Sequence, residues 1–342
     1  MKKHSPILPL SVLCLSLAGS LSSHGAGVAI ELLTRFNVLV GDYNANNETE
    51  GSAFVYGSYS PSGSNARFGF NSGSVSDDAE YTLWLNNGTD TSATTTLQSG
   101  SVVSRTAVSE SEFTLQGNGS TGTPSVVQGE TAWSDALGGL GLGLTSTADV
   151  VTALSDASTY WAALSANSTG TTPGNGSYTF SSSPESIDGS SVAIFHVTSA
   201  ELFDASGFDR LELNLNGADS VLINVSGTDI DIAKNFSNGF VNNESQIVFN
   251  FYEAETITID SNFRGTIFAP FADVVQNANI DGGVVAASLT QTKEIHSVGF
   301  DAYFPEPEFS SGGGVITPVP EPSHSALLLF VGSLAMVGFR RR

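Results

Sequence analysis

The chain has 342 residues, with 34 acidic against 12 basic side chains and a formal net charge of −22. Charge of that sign repels nucleic-acid phosphates and anionic lipid, which excludes nucleic-acid binding. Charged residues are only 13% of the chain while Gly, Ser, Thr and Asn abound, the composition of an extracellular β-protein and not of a cytosolic α/β enzyme.

Lys2 and Lys3 precede an apolar run from Ile7 to Leu17, and Ala18, Gly19 and Ser20 follow. Charged, apolar and small segments in that order predict a cleavable secretory signal peptide over residues 1–26, cut between Ser20 and Ala26. The sole cysteine, Cys14, lies in the apolar run behind Leu13. No lipoprotein site is expected there, and the exported body is left without a disulfide, a thiol nucleophile or a cysteine-ligated metal. Burial alone must hold that body together, and roughly 280 residues suffice for a sizeable core. Five of the twelve basic residues belong to the terminal signals and seven remain in the body.

One helix is predicted, from Ser146 to Ser165. Val150, Leu154, Ala157, Trp161 and Leu164 fall on one apolar stripe, and Ser146 with Asp149 makes a capping box. The stripe packs this helix along the side of a β-body. Gly174 to Ser177 then read as a loop.

From there strands dominate. The runs Ser220–Gly227, Gln246–Phe251, Thr256–Asp260, Gly265–Pro270, Asp273–Val275 and Gly282–Ala287 are β-branched or aromatic and bounded by Gly, Asn, Asp or Pro. Ile247 to Ile267 is 20 residues, Ile267 to Val285 is 18, and Thr258 to Val275 is 17. Like positions thus return once per coil length, as in a parallel β-solenoid. A β-sandwich is the alternative, since it too gives short strands and frequent turns. Asp281-Gly282 gives a two-residue hairpin signal, but another glycine follows it. The fold expected is mainly β, a parallel solenoid with one flanking helix over residues 28–308.

Residues 309–319 form a Gly/Ser/Pro tether. Beyond it, Ala326 to Phe339 gives ~14 apolar or small residues, about 21 Å of helix against a bilayer core of about 30 Å. Such a helix spans only with local thinning, and Arg340, Arg341 and Arg342 stay cytoplasmic by the positive-inside rule. Pro320, Glu321 and Pro322, then a short apolar helix, then an arginine cluster resemble the PEP-CTERM sorting signal over residues 320–342. That resemblance implies an exosortase as processing partner in a Gram-negative bacterium that makes extracellular polysaccharide. It also implies membrane contact only through a transient C-terminal helix.

Phe36 to Ser60 and the block from Ile247 to Phe300 together resemble the choice-of-anchor A domain. The shared pattern here is Gly265 to Pro270, Gly282 to Ala286, Glu294-Ile295-His296 and Phe300, with Tyr56-Gly57 where family members often have a glycine pair. The resemblance implies an adhesin-like protein at the cell surface or in the extracellular matrix, with interchangeable anchors and a body akin to bacterial ice-binding proteins. It brings no catalytic residues.

The residues themselves point the same way. His24, His196, His296 and His324 are the histidines beyond the signal's charged start, and no HxH, HExxH, GxSxG or P-loop spacing occurs. Asp229 and Asp231 share one face of a strand, as do Glu253 and Glu255 if extended. Paired carboxylates serve glycoside hydrolysis or calcium, but no EF-hand or nonapeptide repeat is present. A solvated acidic face is the expected role. No catalysis, cofactor or metal is expected. A polysaccharide or other surface ligand is the expected partner, with ice binding and a polysaccharide-active enzyme as alternatives. Ice binding asks for a regular Thr array, and the T-x-T of Thr256 and Thr258 is not repeated coil after coil.

Overall fold

The computed structural model describes residues 27–63, 66–70, 81–90, 93–117, 123–172 and 176–309. The expected signal peptide, the sorting signal with its helix at Ala326 to Phe339, and nearly all of the tether lie outside them, as do Gly174 and Asn175 of the expected loop.

The β-branched runs wind in parallel. Strand Ser220–Ser226 lies beside Ile247–Asn250, which lies beside Thr266–Gln276, which lies beside Val284–Gln291. All three ladders are parallel, and the chain needs a full turn of coil between partners. This is the solenoid, and the sandwich alternative fails on strand direction. Among the described residues two ladders are antiparallel: Thr169–Thr171 with Ser177–Ser181, and Glu185–Ile187 with Ser190–Thr198. The second is a tight hairpin over Asp188-Gly189, both at positive φ.

The path has an order that no local pattern shows. Strands Ala53–Val55, Tyr81–Leu85, Ser101–Ser104 and Val126–Gln128 stack successively outward from Val38–Ala45. The chain then returns along the outside, and the later series begins with Ser190–Thr198 and works back towards the middle. It ends with Val284–Gln291 on the other flank of Val38–Ala45, with Val38 opposite Val284. First and last strands of this sheet in chain order, Val38–Ala45 and Val284–Gln291, are neighbours.

Three long strands, Val38–Ala45, Thr266–Gln276 and Val284–Gln291, each run through two faces of the solenoid. Thr266–Gln276 does so by a register shift between Ala269 and Asp273. Inside, Val40, Phe195, Ile223, Phe249, Ile267 and Ala286 belong to one continuous apolar core. Turns between faces need close backbone approach. A Cβ on Gly282, whose φ is +150°, would lie 2.0 Å from the Gly265 carbonyl oxygen, so these glycines stack at successive corners.

The second core is a helix layer on one face. Its members include Leu39, Phe54, Trp84, Leu222, Val248, Phe268 and Val285 from the sheet. The expected helix is there as Thr147–Ala163, and Ser146 and Asp149 form both bonds of the capping box. The single-helix expectation is corrected: Val28–Arg35 (α1) and Glu130–Gly139 (α2) join Thr147–Ala163 (α3) among the described residues. α1 buries Ala29, Ile30, Leu32 and Leu33, and short helices of this kind exist through packing and not propensity.

A polar ladder docks α3. Asn250 Nδ2 donates to the Ser158 carbonyl at 2.9 Å while Ser158 Oγ donates to Asn250 Oδ1 at 2.7 Å. Asn224 Nδ2 donates to the Trp161 carbonyl at 2.8 Å, and His196 Nε2 reaches the Leu164 carbonyl at 2.8 Å. Asn224 and Asn250 are register partners, so two neighbouring coils hold successive turns of the helix. The segment after the last strand completes the layer. Trp161 Nε1 donates to the Pro305 carbonyl, its ring packs on Phe268 and Phe304, and Glu306 accepts from the Ala29 and Ile30 amides at the start of α1.

Candidate functional site

Three faces of the solenoid have different fates. One is covered by the helices. A second carries the seven-stranded sheet, on which Arg264, Asp281 and His296 are engaged with one another and with Glu244 and Glu294. Arg264 pairs with Glu244 and, at 2.9 Å, with Asp281. His296 bonds Asp281 through Nδ1 at 2.5 Å and Glu294 through Nε2 at 3.1 Å. Burial alone would lower the His296 pKa, but these two carboxylates outweigh it and raise it. Burial and the nearby Glu294 carboxylate raise that of Glu48. Among the described residues no group of three or more His, Cys, Asp or Glu is placed to hold a metal ion.

The third face is uncovered and flat. It consists of Asp229–Ile232, Thr256–Ile259, the second half of Thr266–Gln276, the second halves of Val284–Gln291 and Val38–Ala45, and Tyr59–Pro61, all in parallel pairing. Alternation sends Ile230, Ile257, Val274, Leu289 and Tyr43 into the core. What is left outside forms two rows across the strands. The first row is Asp229, Thr256, Asp273, Ser288 and Asp42; the second is Asp231, Thr258, Val275, Thr290, Asn44 and Ser60. Neighbouring members stand about 4.8 Å apart, the strand spacing of any sheet.

Hydroxyls and carboxylates alternate along the first row and bond to each other. Thr256 Oγ1 donates to Asp229 Oδ1 at 2.8 Å and Ser288 Oγ to Asp273 Oδ1 at 2.6 Å, and the Ser58 amide donates to Asp42 Oδ1 at 2.7 Å. In the central strand Phe271 and Val275 flank Asp273 on the outer surface, 46% and 39% exposed. None of the body's seven basic residues belongs to these six strands.

The expected site residues sort as follows. Asp229 and Asp231 share an exposed face, as the alternation implies. Glu253 and Glu255 are exposed but precede the strand Thr256–Ile259, in a turn, so the extended pairing does not form. His196 lies in a strand but serves α3, and His296 lies in the ion-pair lattice. Pro320, Glu321, Pro322, Arg340, Arg341 and Arg342 lie outside the described residues. Sequence reasoning missed Asp42, Phe271, Asp273 and Thr290. The available signal was the alternation within "PFADVV", where Phe271, Asp273 and Val275 fall on one side.

The body is a helix-clad β-solenoid with one bare, regular face. The chain belongs to the ice-binding-like adhesive domain family, whose match covers residues 29–297, which makes the body an adhesive-type domain of an extracellular or surface protein. Similar solved structures include an ice-binding protein from the Antarctic ascomycete Antarctomyces psychrotrophicus, 12% identical with a TM-score of 0.34 over 84% of this chain and 98% of that one. Another is a glycosylated ice-binding protein from an Arctic yeast, 10% identical with a TM-score of 0.30 over 83% and 97%. Likenesses this distant carry no functional argument. No curated protein matches the chain.

Among the described residues no helix is long and apolar enough to cross a membrane.

Proposed function

We propose that the chain is a non-enzymatic, exported adhesin whose flat face holds an extracellular polysaccharide. The observation that carries this reading is the contrast between the three faces. One is closed by helices and one has Arg264, Asp281 and His296 engaged in ion pairs, while the third leaves two in-register rows and Phe271 open to solvent. A flat, rigid array engages a polymer by many weak contacts in parallel, and a cleft-bound reaction has no comparable support. The test is binding of the full-length protein to polysaccharide extracted from its producer and to common matrix glycans, with hydrolysis products assayed in parallel. Saturable binding without cleavage supports the reading. Cleavage that disappears on Asp229→Asn or Asp231→Asn would replace it with a polysaccharide-active enzyme.

Within the adhesive family we read the chain as a choice-of-anchor A protein, on Gly265 to Pro270, Gly282 to Ala286 and Glu294 to His296. We read its end as a PEP-CTERM signal, with Pro320, Glu321 and Pro322 as the processing region and Arg340, Arg341 and Arg342 as the cytoplasmic stop. An exosortase then releases the body to the cell surface or matrix after a transient stay in the inner membrane. Intact-mass analysis of surface-extracted protein tests this. Loss of the tail near Pro320 to Pro322 supports it, and recovery of the three arginines on protein held in the membrane contradicts it.

Ice binding is the second reading, and one observation favours it: Thr256, Thr258 and Thr290 stand on one parallel face. Carboxylates interrupt the hydroxyls of the first row and Val275 those of the second, which weighs against an ordered hydroxyl array. Thermal hysteresis of the purified protein decides between them.

A further inference from the structure

We propose that the partner of the flat face is a cationic amino-sugar polymer, a linear glycan carrying free primary ammonium groups. The inference rests on the adhesive reading and names the ligand class for the same face. Two independent features point to it.

The first is charge. Asp229, Asp231, Asp273 and Asp42 lie on the face, the six strands hold no Lys or Arg, and Glu253 and Glu255 stand exposed beside it. An anionic polymer such as a polyuronate is repelled, and so is a second copy of a chain with a formal charge of −22. The second is hydrogen-bond polarity. Thr256 and Ser288 spend their protons on Asp229 and Asp273, so the first row offers acceptors and little donor capacity. An ammonium group, with three donors and no acceptor, is the complement of such a row.

The geometry suits a polymer over a monomer. Carboxylates of the first row fall on every second strand, at Asp229, Asp273 and Asp42, which sets them about 10 Å apart along the solenoid. Successive cations of one chain meet successive carboxylates, and each weak exposed pair adds to the last. Phe271 and Val275 on either side of Asp273 give the apolar face of a sugar ring a place to lie.

The experiment is co-sedimentation of the full-length chain with three insoluble polymers: de-N-acetylated β-1,4-glucosamine polymer, its N-acetylated counterpart, and a polyuronate gel. Two triple variants are compared with the unmodified chain. One is Asp42→Asn, Asp229→Asn and Asp273→Asn on the face; the other is Glu110→Gln, Asp135→Gln and Glu185→Gln, all exposed elsewhere. Both lose three charges, so they separate the face from general acidity. Binding to the deacetylated polymer is expected to fall at least about tenfold in the first variant and less than about threefold in the second, because aligned contacts multiply and scattered charge does not. Phe271→Ala is expected to weaken binding without changing its salt dependence. Equal losses in both triple variants would overturn the proposal. Binding through the face to the acetylated polymer or the polyuronate alone would overturn the cationic assignment and leave the adhesive reading standing. If neither the face variant nor Phe271→Ala alters binding to any polymer, the adhesive reading of this face falls with it.

Discussion

Val38 pairs in parallel with Val284, 246 positions later in the chain. The seam between them makes the early and late coils one structure: each half ends its stack on the other. We expect unfolding of the body to be a single cooperative transition in chemical denaturation. Val284→Ala, at a fully buried position, should cost about 2 kcal/mol and shift the whole transition. Two separated transitions, with only one moved, would mean that the halves fold independently.

The Asn250 contact with α3 makes a second expectation. Asn250→Leu leaves the Ser158 hydroxyl and Asn224 Oδ1 without the partner each has in Asn250, in a buried site, which should cost about 1–3 kcal/mol. A double-mutant cycle with Ser158→Ala should recover part of the loss, because the orphaned hydroxyl is then gone. Strict additivity would show that the ladder does not dock the helix.

Acidity should stabilise the fold through Glu306 and His296. Burial lifts Glu306 from its ordinary 4.5 to about 7 despite the Ile30 and Ala29 amides, so the folded chain holds this proton more tightly than the unfolded one. Its contribution is fully present below about 4.5 and is lost as pH rises through about 7. His296, raised from 6.5, contributes stability below its ordinary value that is lost as pH climbs through its folded one. The melting temperature should therefore fall as pH rises from about 4.5 through about 7, with His296 adding to the fall above 6.5. Glu306→Gln should flatten the 4.5–7 part and His296→Gln the contribution that sets in above 6.5. An unchanged slope in both variants would contradict the assignment.

The corner glycines give a fourth test. Gly282→Ala places a methyl group against the Gly265 carbonyl at a positive φ, and should cost more than the ~1 kcal/mol usual for glycine replacement at a left-handed position. A stable Gly282→Ala protein would mean the coils can part at that corner.

How much of this was legible follows from which forces are local. The 17-residue step from Thr258 to Val275 is a true register pair, because both lie in regular strand. The step from Ile247 to Ile267 is not; Ile267 faces Phe249, since a short helical turn sets where the strand Ile247–Asn250 begins. "GTIFAP" and "DVV" read as separate runs but form one strand with a shift inside it. The capping box and apolar stripe announced α3. α1 and α2 went unread because one abuts the expected signal peptide and the other holds Gly138 and Gly139, so that only packing reveals them. Asp188-Gly189 carried a hairpin signal that the strand spacing overshadowed. The seam between Val38 and Val284 had no local trace at all. The same limit applied to the flat face: Asp229 and Asp231 were visible by alternation within one strand, but the rows depend on register across strands distant in sequence.

The most direct measurement of the central claim is the affinity of the full-length protein for its producer's own polysaccharide after Thr258→Arg and Thr290→Arg, which place two large side chains on the flat face. The matched control is Thr96→Arg and Thr114→Arg on the seven-stranded sheet. The account predicts that the flat-face pair loses at least about tenfold in affinity, about 1.4 kcal/mol, with an unchanged melting temperature, while the control keeps its affinity. Full affinity in the flat-face pair, with loss in the control, would place adhesion on the other side of the solenoid and contradict it.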